Sequence, residues 1–117
     1  MIAHIVLFRP RPDLPSQDVQ RLVSAFEEAL AGIPMIRRAH VGRRVRIGRA
    51  YEQLMTADYP YAAVLEFDDV AGLRAYLEHP AHGNVGAAVF EAAGDILVYD
   101  YEMGSGARGL TAVAGRT

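Results

Sequence analysis

Residues 4–8, His-Ile-Val-Leu-Phe, form a short β-branched and aromatic run closed by Arg9-Pro-Arg-Pro12, which predicts a strand ending in a loop. Ile5 and Leu7 take one face of that strand, and His4, Val6 and Phe8 take the other. Ser16 then stands in N-cap position before a helix to about Ala31. In it Val19, Leu22, Val23, Phe26 and Leu30 recur at helical spacing as one apolar stripe, until Gly32 and Pro34 stop the helix. Arg37 to Val45 alternates as a second strand, and 46–60 reads as a loop holding a turn or two of helix around Tyr51, Leu54 and Met55. Tyr61–Phe67 is a third strand. Asp68 and Asp69 cap a helix from Val70 that Pro80 breaks, a further helix covers about 82–93, and Asp95–Tyr101 is the last strand.

Strand, helix, strand, strand, helix, strand is the βαββαβ order of an α+β, ferredoxin-like protomer: a four-stranded antiparallel sheet with helices on one face. Such a sheet with one free face should alternate apolar and polar residues. The first and last strands do not: Ile5, Val6, Leu7, Phe8, Ile96, Leu97, Val98 and Tyr99 are apolar on both sides. A second copy of the same sheet is the economical cover, which predicts a homodimer closed as a dimeric α/β barrel. The domain is expected over 1–103, followed by a flexible glycine-rich tail over 104–117.

Composition narrows the function classes. Net charge is −2, with 12 basic against 14 acidic residues, so the basic surplus that non-specific nucleic-acid binding needs is missing. Arg37, Arg38, Arg43, Arg44, Arg46 and Arg49 do cluster, either as solvated charges or as an anionic-ligand entrance. The 117 residues hold no cysteine, which removes thiolate catalysis and zinc–thiolate sites. No run approaches the length of a membrane span, and Met1-Ile-Ala-His does not open like a secretory signal, so a cytoplasmic protein is expected.

The chemistry concentrates in Ala75-Tyr-Leu-Glu-His-Pro-Ala-His82, where a phenol and two imidazoles surround a helix-breaking proline. His79 lies at a helix C-terminus, where the dipole favours imidazolium and a capping role, donating to the free carbonyls. His82 begins the next helix, where neutral imidazole is favoured, the form a general base needs. Tyr76 is either a core phenol or a proton donor to the same cleft, and His4 either a satisfied core histidine or a pocket side chain. His79-x-x-His82 with a proline between them makes no metal site, and no cofactor is expected. The glycines and alanines of 83–94 give the last helix a thin cover, which means close packing or space for a ligand.

Met1–Phe8, Leu65-Glu-Phe-Asp-Asp69, Tyr76-Leu-Glu-His-Pro-Ala-His82 and Val98-Tyr-Asp-Tyr101 together resemble the stress-responsive dimeric A/B barrel (Dabb) family over about residues 1–103. The resemblance implies the ferredoxin-like protomer and the dimeric barrel. It also implies, by similarity to a plant polyketide cyclase that forms olivetolic acid, a cofactor-free aldol condensation. Catalytic roles then fall on Tyr76 and His82, with His4, Tyr61 and His79 as substrate-binding side chains. Tyr61 stands where the cyclase has a further histidine, and the 46–60 loop is longer. The expected ligand is a small, apolar, carbonyl-bearing molecule. The alternatives are a non-catalytic stress-responsive binding protein and a cofactor-independent monooxygenase, the latter by analogy of fold alone.

Overall fold

The β-branched N-terminal run occupies the centre of the sheet. A computed structural model describes residues 1–114 and contains nine elements: β1 (Ile2–Pro10), α1 (Ser16–Gly32), β2 (Arg38–Arg43), α2 (Tyr51–Leu54), β3 (Tyr61–Phe67), α3 (Val70–Glu78), α4 (Pro80–Ala92), β4 (Ala93–Glu102) and α5 (Arg108–Val113). The sheet order is β2-β3-β1-β4, with every pairing antiparallel. That topology is the ferredoxin-like fold.

Register sorts the side chains into rows. On the face that carries the helices, Ala39, Leu65, His4 and Asp100 stand side by side. The next rows are Val41, Ala63, Val6 and Val98, then Arg43, Tyr61, Phe8 and Ile96. On the opposite face lie Ile5, Val64 and Tyr99 in one row and Leu7, Ala62 and Leu97 in the next, with Ala3 and Tyr101 beyond. No described helix is long and apolar enough to cross a membrane.

The core gathers at the Ile2 end of the helix face. Phe67, Leu65 and Ile33 are sealed there, joined by Ile2, Leu73, Tyr76, Val85 and Ala88. Each buried side chain of this kind contributes about 1.5–3 kcal/mol of transfer free energy.

Several local expectations shift. Pro15, not Ser16, is the N-cap of α1, with no side-chain bond at the cap. Its rigid extended backbone already aims its carbonyl at the Asp18 and Val19 amides, 3.0 and 3.3 Å away. The buried stripe of α1 is also rotated. Ala25 and Ala29 face inward with Leu22 and Phe26, whereas Val19, Val23 and Leu30 are exposed. The reason is α4, against which α1 packs most closely. Ala25 and Ala29 of α1 share one buried cluster with Val85 and Ala88 of α4, while Gly83 and Gly86 of α4 face open space. β2 ends at Arg43 because the chain turns there into an ordered arm over 44–60. The tail, for which composition predicts fraying, carries α5; residues 115–117 of that expectation lie outside the described residues.

Candidate functional site

His79 joins α3 to α4 with no linker. It is the C-cap of α3, its amide donating to the Tyr76 carbonyl at 3.1 Å, and simultaneously the N-cap of α4. Pro80 follows at the first helical position, where its fixed φ and missing N–H cost nothing. The His79 side chain corrects the sequence reading. Its Nδ1 accepts from the Ala81 amide at 3.0 Å, so it satisfies the start of α4 rather than donating to the end of α3. An accepting Nδ1 carries no proton, and His79 is half-buried in this capping role.

The joint aims Tyr76 and His82 at each other. Their rings meet edge to face with centroids 4.7 Å apart. Tyr76 also meets His4 edge-on at 5.8 Å and Phe67 at 5.3 Å. It is 3% exposed, and that burial pushes its phenol up to about 12, so it is a firmly protonated donor. No hydrogen bond joins its hydroxyl to any described residue, yet no described buried polar atom is left without a partner. The hydroxyl therefore opens onto accessible space.

His82 is half-buried, and burial lowers its pKa below 6.5. The Leu77 carbonyl pulls the other way, and His4 adds to the lowering. The ring is neutral at pH 7 and able to accept a proton.

His4 brings in a residue that the sequence reading missed. Its Nδ1 lies 2.5 Å from Oδ1 of Asp100, its row partner on β4. An ionised carboxylate only accepts, so Nδ1–H donates and the ring is held with Nε2 free. His4 is buried, while the Asp100 side chain is 42% exposed. The one signal in the sequence was a polar residue between two tyrosines, following the apolar run Ile96–Val98. Pairing it with His4 required the register.

Four of the five anticipated side chains thus fall near one joint, and Tyr61 does not. Tyr61 is exposed and stands two rows beyond His4, against Phe8 at 6.4 Å. Two rows span about 13 Å along a strand. Between His4 and Tyr61 the face is apolar, through Val6, Ala63, Val41 and Val98, and the last two are exposed. The helix cover stops short there, which leaves a shelf with His4 and Asp100 at one end and Tyr61 and Arg43 at the other. Two concavities lie elsewhere: about 300 Å³ between α1 and α4, and about 270 Å³ at the start of α3 beside Arg37 and Asp68. Neither touches the histidines. Among the described residues, no three acidic or histidine side chains converge as a metal site.

The profile described as Stress responsive A/B Barrel Domain (Dabb) matches residues 2–103. Among curated proteins nothing matches. Solved structures do. A dimeric ferredoxin-like protein of unknown function from Thermobifida fusca is 26% identical, with 87% of this chain and 90% of that one covered at a TM-score of 0.67. Another dimeric protein of unknown function and ferredoxin-like fold, from Bacteroides fragilis, is 29% identical over 87% and 95% at 0.61. A hydroxynitrile lyase from Passiflora edulis shares the fold at 21% identity, over 90% and 94%, with a TM-score of 0.72.

Proposed function

The chain belongs to the stress responsive A/B barrel domain family, and from that premise we propose that it is a homodimer whose protomers each bind a small, largely apolar, carbonyl-bearing molecule beside His4 and act on it by cofactor-free acid–base chemistry. The observation that carries this reading is the paired protonation of two touching rings. Burial keeps the Tyr76 phenol protonated and the His82 imidazole neutral, so a donor and a base are ready at the same pH. The dimer is supported by the helix-free face, where Ile5, Leu7, Val64 and Leu97 stay half-buried and Tyr99 is exposed.

The chemistry runs in balanced steps. His82 takes a proton from the carbon beside a carbonyl, and the C–H electron pair moves into an enolate whose oxygen is held by the Tyr76 hydroxyl. The enolate carbon adds to a second carbonyl of the same polyketide-like molecule, forming one C–C bond and an alkoxide. The imidazolium returns its proton to that alkoxide. His4, its tautomer set by Asp100, presents Nε2 as a further polar anchor. In the lyase direction the same base and donor cleave a C–C bond next to a hydroxyl. The shelf toward Tyr61 accommodates the apolar remainder of the ligand.

A panel of aryl methyl ketones, polyketide lactones and aromatic acids tests this with histidine-labelled protein in D₂O. Binders shift the ring resonances of His4 and His82, and the protein accelerates deuterium uptake at the carbon beside the ketone. His82→Ala then loses about 10²-fold of the exchange rate while retaining binding. Exchange as fast in His82→Ala as in the wild type, or a panel that leaves both rings unmoved, sinks the reading.

A further inference from the structure

We propose that the arm over residues 44–60 is a clasp that closes on a second copy of this chain, burying Ile47, Leu54 and Met55 against the partner protomer. The inference rests on the pairing of helix-free faces proposed above. It adds a second contact region with its own residues.

The arm is built, not slack. Glu52 reaches back to accept the amides of Ile47 at 2.8 Å, Gly48 at 3.2 Å and Arg49 at 3.5 Å, which ties down the turn before α2. Gly48 sits at φ +79°, a conformation that glycine enters freely. Asp58 accepts from Arg44 at 2.6 Å and pairs with Arg46 at 3.3 Å, closing the base of the arm.

The root of the arm is fastened on the helix-free side of the sheet. Arg9 and Asp95 are row partners on that face, continuing the rows of Ile5 and Leu7. Tyr59 donates its hydroxyl to Asp95 at 2.9 Å, and the Arg9 guanidinium lies over the Tyr59 ring at 5.7 Å while donating to the Asp58 carbonyl. The arm therefore leaves the sheet beside the face that lacks cover. The Tyr76 cluster is on the other face and about five residues away along β1, so its own arm does not roof it.

Most of the arm's apolar side chains are exposed. Val45 is 72% exposed, Ile47 64%, Tyr51 58%, Leu54 73% and Met55 56%. A braced segment that shows this much apolar surface gains nothing from the monomer, and contiguous surface of that kind marks an interaction site. The occupant is a second copy because the root is continuous with the open apolar face, and similar structures are described as dimeric. Two-fold pairing would give each protomer one arm to extend and one to receive.

The chain has no cysteine or tryptophan, so single labels are clean. Replacing Leu54 with p-benzoylphenylalanine in the full chain, mixing ¹⁴N and ¹⁵N protein and irradiating should give a covalent dimer whose cross-linked peptides carry both isotopes. Adducts confined to one chain overturn the clasp. In parallel, Leu54→Glu with Met55→Glu should raise the dimer dissociation constant at least about tenfold, with circular dichroism unchanged. Val64→Asp, on the sheet face alone, separates the two readings. If Val64→Asp yields monomers while the arm variant dissociates like the wild type, the face stands and the clasp falls. A wild type that is monomeric at every concentration overturns both.

Discussion

Tyr76→Phe should leave stability almost untouched while removing function, and the structure sets the size of each effect. The ring is 3% exposed and packs on Phe67, His4 and His82, so it carries the packing. Its hydroxyl bonds no described residue, so phenylalanine keeps the contacts and gives up no internal hydrogen bond. The expected cost is within about 1 kcal/mol. Tyr76→Ala instead opens a cavity in the core and should cost about 3–5 kcal/mol, a large share of a domain's stability. At roughly 4 °C per kcal/mol, that is a melting point about 12–20 °C lower. Urea unfolding of the three proteins at one fixed protein concentration reads both numbers, since a dimer's stability depends on concentration. A cost of 2 kcal/mol or more for Tyr76→Phe would mean the phenol is an internal structural donor. The role assigned to its oxygen would then be refuted.

Other consequences are checked more simply. His82 is depressed in the folded state below 6.5, so its contribution to stability is full above pH 6.5 and is lost as the pH falls toward the depressed value. Histidine proton resonances followed from pH 8 to 4 should show it titrating below 6.5, and His82→Phe should flatten that part of the stability curve. Asp100→Asn should cost about 1 kcal/mol, the 1.5–3 kcal/mol of a charge-assisted bond reduced because much of the carboxylate faces water. The readouts are urea unfolding and a shifted His4 nitrogen resonance. Glu52 is lowered from 4.5 first by the Ile47 amide, so its bracing is complete above pH 4.5 and is lost as the pH falls through the depressed value. Glu52→Ala should therefore speed amide exchange at Ile47 and Gly48 at neutral pH without moving the global unfolding midpoint.

The order of elements along the chain and the two-faced sheet were legible because alternation and its failure are local facts: Ile5 and Leu7 could only face one way and Val6 and Phe8 the other. The joint at His79-Pro80 was legible as a break, since a proline breaks or kinks a helix that would run through it. What the side chain of His79 does there was not. A dipole argument sees only helix ends, and this one residue belongs to two of them, with its ring nearer the Ala81 amide. Asp100 was hidden for a different reason. Its meaning comes from standing opposite His4, a pairing 96 residues apart that register alone creates. The buried face of α1 was misjudged because the larger residues of the stripe, Val19, Val23 and Leu30, attract the eye, while close packing on α4 selected Ala25 and Ala29.

The shared cap at His79 has one more consequence, which concerns how such a site can change over generations. A junction with no spare residue works as a phase lock: adding or removing one residue between Tyr76 and His82 would swing one ring about 100° around its helix axis and part the pair. New chemistry at this position must then arise by exchanging side chains at constant length. Insertions and deletions are left to the arm between β2 and β3, which can grow or shrink without disturbing the angle between the two rings.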